Sequence, residues 1–174
     1  MPIKGSIEIA NRIRAALVNK VPKRIAADAE RHFKMSFRHQ GFIDETLVPW
    51  KPTKKPRANS RGKVLEKRIL KRTGLLVNSI RVLRADWNRV EITAGGQHVP
   101  YAQIHNEGGR IQGTFNVRAH TRRKRDGTKV PVRAFQRKVN TVIPQRQFMG
   151  DSFKLRQTMR QTILRTISEA LNKR

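Results

Sequence analysis

Ile9, Ile13, Leu17, Val21, Ile25, Ala29, Phe33 and Phe37 stand four apart through the first part of the chain. Apolar groups at that interval line one face of an α-helix, so this stretch is predicted to be helical and to bury that face. Pro22 falls inside the run. Within a continuous helix a proline costs about 3 kcal/mol, because it has no N–H and its ring meets the carbonyl one turn back. The run therefore reads as two helices, roughly 6–19 and 22–38. Pro22 opens the second, where its missing N–H would have had no intrahelical partner. A single kinked helix is the alternative. Ser6 is the expected N-cap of the first helix. The other face (Arg12, Lys20, Lys23, Arg24, Arg31, Lys34, Arg38) is basic and reads as solvated.

Gln40 and Gly41 end the helical pattern and open a linker, 39–64, with structure in parts. Phe42, Leu47 and Trp50 are large apolar groups in a loop-like setting and are expected to pin it to the body, since an aromatic ring buries a large area. Pro49-Trp50-Lys51-Pro52 reads as stiff and extended, because a residue before proline avoids the helical region. Residues 53–63, which include Lys54, Lys55 and Arg57, are highly charged with no apolar pattern. They read as a flexible basic arm that orders on a partner.

A short helix or two turns follows over 64–77, with Thr73 as a cap ahead of Gly74-Leu75-Leu76-Val77. Residues 79–85 and 90–93 read as two strands of a meander hairpin, turned at Asp86-Trp87-Asn88. Gly95-Gly96 breaks the second strand and leads into 99–109. There Pro100 suits a first helical position, Tyr101, Ile104 and His105 share a face, and Gly108-Gly109 stops the turn. Residues 110–143 read as a longer, extended basic β-hairpin, with Ile111, Phe115 and Val117 on one arm and Val130, Val132, Phe135 and Val139 on the other. Asp126-Gly127 signals a two-residue turn needing positive φ at both positions. Around it lie Arg122, Arg123, Lys124, Arg125 and Lys129, followed by Arg133, Arg137 and Lys138. Residues 144–149 form a second compact motif. A last helix then runs to about Asn172, capped by Asp151 or Ser152, with Leu155, Met159, Ile163, Ile167 and Leu171 as its apolar stripe.

The 174 residues predict one domain with arms. The class is α+β: N-terminal helices and a C-terminal helix packed on a small antiparallel sheet, with the long basic hairpin attached. Net charge is +27, from 39 Lys and Arg against 12 Asp and Glu. That is far more than solubility needs, and it repels itself in a compact monomer, so a polyanion or an acidic partner surface is expected. Residues 110–174 hold 17 basic and 3 acidic groups, for +14; residues 1–109 hold 22 and 9, for +13. The last third of the chain is thus about twice as charge-dense as the rest.

The chain has no cysteine, which removes disulfides, thiolate nucleophiles and Cys-based metal sites. It has no apolar run long enough to span a membrane and no apolar signal core at its N-terminus. Phosphate-binding glycine loops, nucleophile elbows and paired-histidine zinc helices are missing too. His98, His105 and Glu107 do not match a zinc-ligand spacing; His105 reads instead as a hydrogen-bonded corner residue beside Tyr101. Twelve thinly scattered acids speak against a two-metal nuclease. No cofactor and no catalytic set are expected. The residues read as those of a binding or assembly protein, not an enzyme.

Four segments occur in order: Trp50-Lys51-Pro52, then the run from Leu70 to Ile80 with Thr73-Gly74 inside it, then the run from Val99 to Gly109 with Pro100-Tyr101-Ala102-Gln103-Ile104-His105, then Pro144-Gln145-Arg146-Gln147-Phe148. Together they resemble the phage virion morphogenesis family, the Mu-like tail completion proteins of tailed bacteriophages. Each motif alone is weak; the ordered set, over about residues 30–155, is fairly specific. Asn106-Glu107 and Gln147 depart from the commoner form.

The resemblance implies Trp50, Thr73, Gly74, Tyr101, His105, Gly108, Gly109, Arg146 and Phe148 as structural motif residues. It also implies a non-enzymatic virion protein of the tail or neck, assembled in the host cytoplasm. Copies would form a ring, a hexamer being the expected one, around the DNA path at the head–tail junction and would contact other neck and tail proteins. The 53–63 arm or the 122–129 tip would then face DNA phosphates, which attract cations without sequence specificity, or an acidic neighbouring ring. Arginine's planar fork suits phosphate. A ribosome-like or nucleoid-like nucleic-acid-binding protein is the rival reading from charge alone, although aromatic stacking groups are few, at 6%.

Overall fold

A computed structural model of the protein describes residues 3–53 and 68–172. Two helices open the chain, α1 (Ile3–Asn19) and α2 (Val21–His39), with Pro22 in the first turn of α2 as its missing N–H requires. The expected two-helix reading is correct, but Ser6 lies inside α1 and does not cap it. Helix α2 ends at Gln40, which takes the left-handed cap at φ 57° and returns its N–H to the Ser36 carbonyl.

The described part of the linker, 39–53, holds a strand pair. β1 (Gly41–Ile43) pairs antiparallel with β2 (Leu47–Pro49). Phe42 and Trp50 are buried, while Leu47 faces outward. Residues from Lys54 onward in the expected arm, including Lys55 and Arg57, lie outside the described residues, as do 64–67. Ile69 and Leu70 form a turn, and within the described part of the expected 64–77 helix the helical element is α3 (Leu75–Asn78). Gly74 is its N-cap, and the Thr73 hydroxyl accepts from Leu75 N–H at 3.4 Å. β3 (Arg81–Ala85) and β4 (Val90–Thr93) form the expected meander, with Asp86 Oδ1 accepting from the N–H groups of Asn88 and Arg89 in the turn.

α4 (Ala102–Glu107) follows. Its cap is Tyr101, so Pro100 stands one residue before the cap and not at the first helical position. β5 (Gly109–Val117) pairs with β8 (Phe135–Ile143), and β6 (His120–Arg123) pairs with β7 (Lys129–Val132). The expected single hairpin is thus two ladders, broken at residues 118–119 and 133–134. The expected small sheet is likewise two separate ladders, β1–β2 and β3–β4, so the described strands form four two-stranded ladders in all.

α5 (Phe153–Leu171) closes the chain. Ser152 caps it twice over: its Oγ accepts from Leu155 N–H at 3.1 Å and donates to the Ile43 carbonyl at 2.8 Å. The buried edge of α5 is not the expected isoleucine stripe. Leu155, Thr162, Thr166 and Ala170 are buried, whereas Ile163 and Ile167 are half-exposed and Leu171 is exposed. Helix α2 presents polar partners to this edge. Thr162 Oγ1 donates to Asp28 at 2.6 Å, and Arg24 donates to Thr166 Oγ1 at 2.9 Å while pairing with Glu169 at 2.7 Å. A matched polar pairing keeps these hydroxyls inward, where isoleucine would remove one hydrogen-bond partner from each of Arg24 and Asp28.

The core lies where α2, α3, α4 and the start of α5 converge. Phe33, Phe37, Trp50, Leu76, Ile80, Val99, Ala102, Phe148 and Leu155 pack into one cluster. Phe37 sits at its centre, 5.3 Å edge-on from Trp50 and 5.2 Å from Phe148 between ring centroids.

Candidate functional site

The four ordered motifs each send a side chain into this one core: Trp50, Leu76 with Ile80, Val99 with Ala102, and Phe148. Polar bonds between the segments hold the arrangement. Trp50 Nε1 donates to the Gln147 carbonyl at 2.6 Å. Ser79 Oγ donates to the Leu76 carbonyl at 2.7 Å and accepts from Gly95 N–H at 2.9 Å, tying the meander's exit to α3. Residues 99–109 clamp the 144–149 segment. Arg146 N–H donates to the His105 carbonyl at 2.8 Å, and Asn106 Oδ1 accepts from both Phe148 N–H and Met149 N–H, at 2.9 and 3.0 Å.

Close approach explains Gly108. It takes φ 77°, and a Cβ there would stand 2.9 Å from the Gln145 backbone nitrogen. Gly109 then begins β5 opposite Ile143 at the other end of the ladder. The corner, α4 plus its glycines, therefore fixes where both strands of the 109–143 ribbon leave the body.

His105 departs from expectation. Its ring lies 5.8 Å edge-on from Tyr101, but Nδ1 is buried with no hydrogen-bond partner among the described residues. Burial holds its pKa below the ordinary value, and the neighbouring Arg146 cation adds to this. Among the described residues no three of His, Cys, Asp and Glu gather as metal ligands, and His98, His105 and Glu107 form no such cluster.

The ribbon is amphipathic. Side chains of directly paired residues share a face of a ladder. One face carries Ile111, Gly113, Phe115 and Val117 opposite Thr141, Val139, Arg137 and Phe135. The other carries Arg110, Gln112, Thr114 and Asn116 opposite Val142, Asn140, Lys138 and Gln136. Neither face is covered along its middle: residues 112–116 and 133–138 are exposed throughout, with Phe115 at 52% and Phe135 at 47%. Beyond it, Arg122 and Arg123 end β6, Lys124 and Arg125 enter the turn, Lys129 opens β7 and Arg133 follows it, all exposed.

The turn is not the expected two-residue type. Gly127 alone takes positive φ, at 89°; its N–H donates to the Lys124 carbonyl, and Lys124 N–H donates to Thr128. This is a three-residue loop ending in a left-handed glycine. Asp126, the one acid in 110–143, is turned onto Thr128, whose side-chain hydroxyl and then its N–H, at 2.9 Å, hold the carboxyl below the usual range. Arg123 and Lys129 stand directly opposite each other, where like charges destabilise a ladder. None of the six predicted contact cations of the ribbon forms an ion pair among the described residues.

The structure therefore separates two sets of residues. The motif residues assemble a rigid corner in the body, and the cations stand together on the ribbon it carries. Sequence reasoning missed Asn106, whose place in the last turn of α4 before a glycine pair was its only signal.

A small α+β body with a fixed corner and an uncovered amphipathic ribbon defines a protein built for assembly. The chain matches the model of the phage virion morphogenesis family over residues 8–168 and belongs to that family. No curated protein and no solved structure matches it. Membership makes it a phage virion structural or assembly protein. Among the described residues no helix is long and apolar enough to cross a membrane.

Proposed function

We propose that the protein is a tail completion or neck subunit that forms a ring at the head–tail junction and helps join tail to head around the DNA channel. The observation that carries this is the ribbon. An isolated two-stranded ladder is marginally stable in water, and this one keeps an apolar face with Phe115 and Phe135 about half exposed. A neighbouring copy in a ring covers that face. The ring, a hexamer on this reading, then brings six sets of tip cations together. Their mutual repulsion is relieved where they meet DNA phosphates or an acidic surface of an adjacent neck or tail protein.

The apolar face distinguishes this reading from a general nucleic-acid-binding protein, which needs the cations but not Phe115 and Phe135 uncovered. The test combines electron microscopy of the purified protein with a complementation assay. Wild type is expected to form rings and to restore joined, infectious particles. Arg122→Ser/Arg123→Ser/Arg125→Ser is expected to keep its fold and block joining or weaken salt-sensitive DNA binding. Phe115→Ser/Phe135→Ser is expected to dissociate the ring. A protein that stays monomeric at all concentrations, or a triple variant that joins particles normally, overturns the proposal.

A further inference from the structure

Tyr101 and His105 of the corner line a cavity of about 310 Å³. Arg146 lines it and is itself only 7% exposed. Its Nε donates to the Lys51 carbonyl at 3.1 Å, which places the guanidinium against the stiff Trp50-Lys51-Pro52 segment. An arginine side chain has five N–H donors, and among the described residues this is the only bond Arg146's side chain makes and no carboxylate pairs with it. Arg68, Arg72, Thr73 and Tyr101 line it as exposed residues and form its rim, and half-buried His105 lines it too. Among the described residues no Asp or Glu lines the cavity. A buried guanidinium grouped with two more cations and no described anion is costly, so an anion at this cavity would relieve three like charges at once.

Part of the lining is apolar and is held in place. Ile69, Leu70 and Leu76 form it. The Gln40 side chain at the end of α2 accepts from Ile69 N–H and donates to the Ile69 carbonyl at 3.3 Å. Leu70 takes φ 58°, a left-handed conformation that a leucine adopts only under constraint. The volume accommodates one side chain and not a polymer strand.

We propose that this cavity binds a carboxylate presented by an acidic side chain with an apolar neighbour on an adjoining protein chain. Arg146 is the floor contact, and Arg72 and Arg68 close on the carboxylate from the rim. The apolar wall takes the neighbouring aliphatic group. A DNA phosphodiester lacks that apolar flank and reaches the exposed ribbon tip more easily than a recessed guanidinium. The proposal rests on the body of the protein and not on the ribbon, so it stands or falls separately from the ring reading.

The test is calorimetric titration of the full-length protein in 0.3 M NaCl, where diffuse attraction is screened on the order of the Debye length. Three probes are compared: N-acetyl-Leu-Glu-amide, inorganic phosphate and a short single-stranded DNA. The dipeptide is expected to bind wild type and to bind Arg72→Gln and Arg146→Gln at least tenfold more weakly. It is expected to bind Arg122→Ser/Arg123→Ser/Arg125→Ser as tightly as wild type, while DNA shows the opposite dependence. Arg72 is exposed and makes no side-chain bond among the described residues, so its variant remains informative if Arg146→Gln fails to fold. Equal dipeptide binding by wild type and Arg72→Gln overturns the proposal. So does phosphate or DNA binding that is lost in Arg72→Gln while the dipeptide does not bind.

Discussion

Replacing Asn106 with alanine tests the clamp on which the corner depends. Asn106 Oδ1 accepts two backbone hydrogen bonds, from Phe148 N–H at 2.9 Å and Met149 N–H at 3.0 Å, both across more than forty residues of chain. Phe148 itself is 1% exposed and touches the central Phe37. Alanine leaves two N–H groups without acceptors next to the core. Each unsatisfied buried donor costs about 1–3 kcal/mol. Because the site is part-buried and water can reach one of the two, a total of about 2–4 kcal/mol is expected. For a chain of this size that corresponds to a fall in Tm of roughly 4–16 °C.

The assay is urea unfolding followed by circular dichroism, alongside a thermal melt. Asn106→Asp keeps the acceptor oxygens and is expected to recover most of the loss, which separates hydrogen bonding from side-chain packing. An Asn106→Ala variant within about 0.5 kcal/mol of wild type, the range of an ordinary surface substitution, would falsify the clamp.

Gly108→Ala is expected to destabilise by about 2 kcal/mol or more, since it combines a left-handed φ with a 2.9 Å approach to the Gln145 nitrogen; a variant that melts like wild type sinks the close-approach argument. Stability is expected to depend on pH through His32 and His105. Burial lowers the pKa of both from 6.5; His32 Nε2–H donates to the Ile43 carbonyl, which opposes this in part, and Arg146 adds to it at His105. As the unfolded chain then binds more protons in acid, stability is fully present above pH 6.5 and declines as pH falls through the folded values. The urea midpoint should therefore be level between pH 7 and 8 and fall towards pH 5, with a shallower fall in His105→Gln; a level midpoint down to pH 5 would contradict the burial of both rings.

The α2 stripe was legible because a spacing of four can bury only one face. Val21, Ala29, Phe33 and Phe37 all reach the interior. The helix break at Pro22, the meander and the Ser152 cap were legible for similar local reasons. A missing N–H, a period of two and a hydroxyl ahead of an apolar run act over a few residues. The family was legible in the order of four motifs. In α1 the same periodicity misled: Ile9 is exposed and Ala16 is the buried residue, because the first turns of α1 reach beyond the body. In α5 the apolar stripe is likewise not the buried edge. Asp28 and Arg24 on α2 select Thr162 and Thr166 instead.

Residues 99–109 show the division most clearly. Their own sequence determines a short helical turn stopped by glycine, since proline and glycine constrain the backbone wherever they occur. Only the tertiary structure decides that Asn106 reaches Phe148 and Met149, that Gly108 touches Gln145, and that Arg146 lies buried beside His105 with no carboxylate partner among the described residues. Those contacts join segments some forty residues apart. Hydrogen-bond acceptance and charge burial depend on what the fold brings within about 3 Å, which no local spacing encodes.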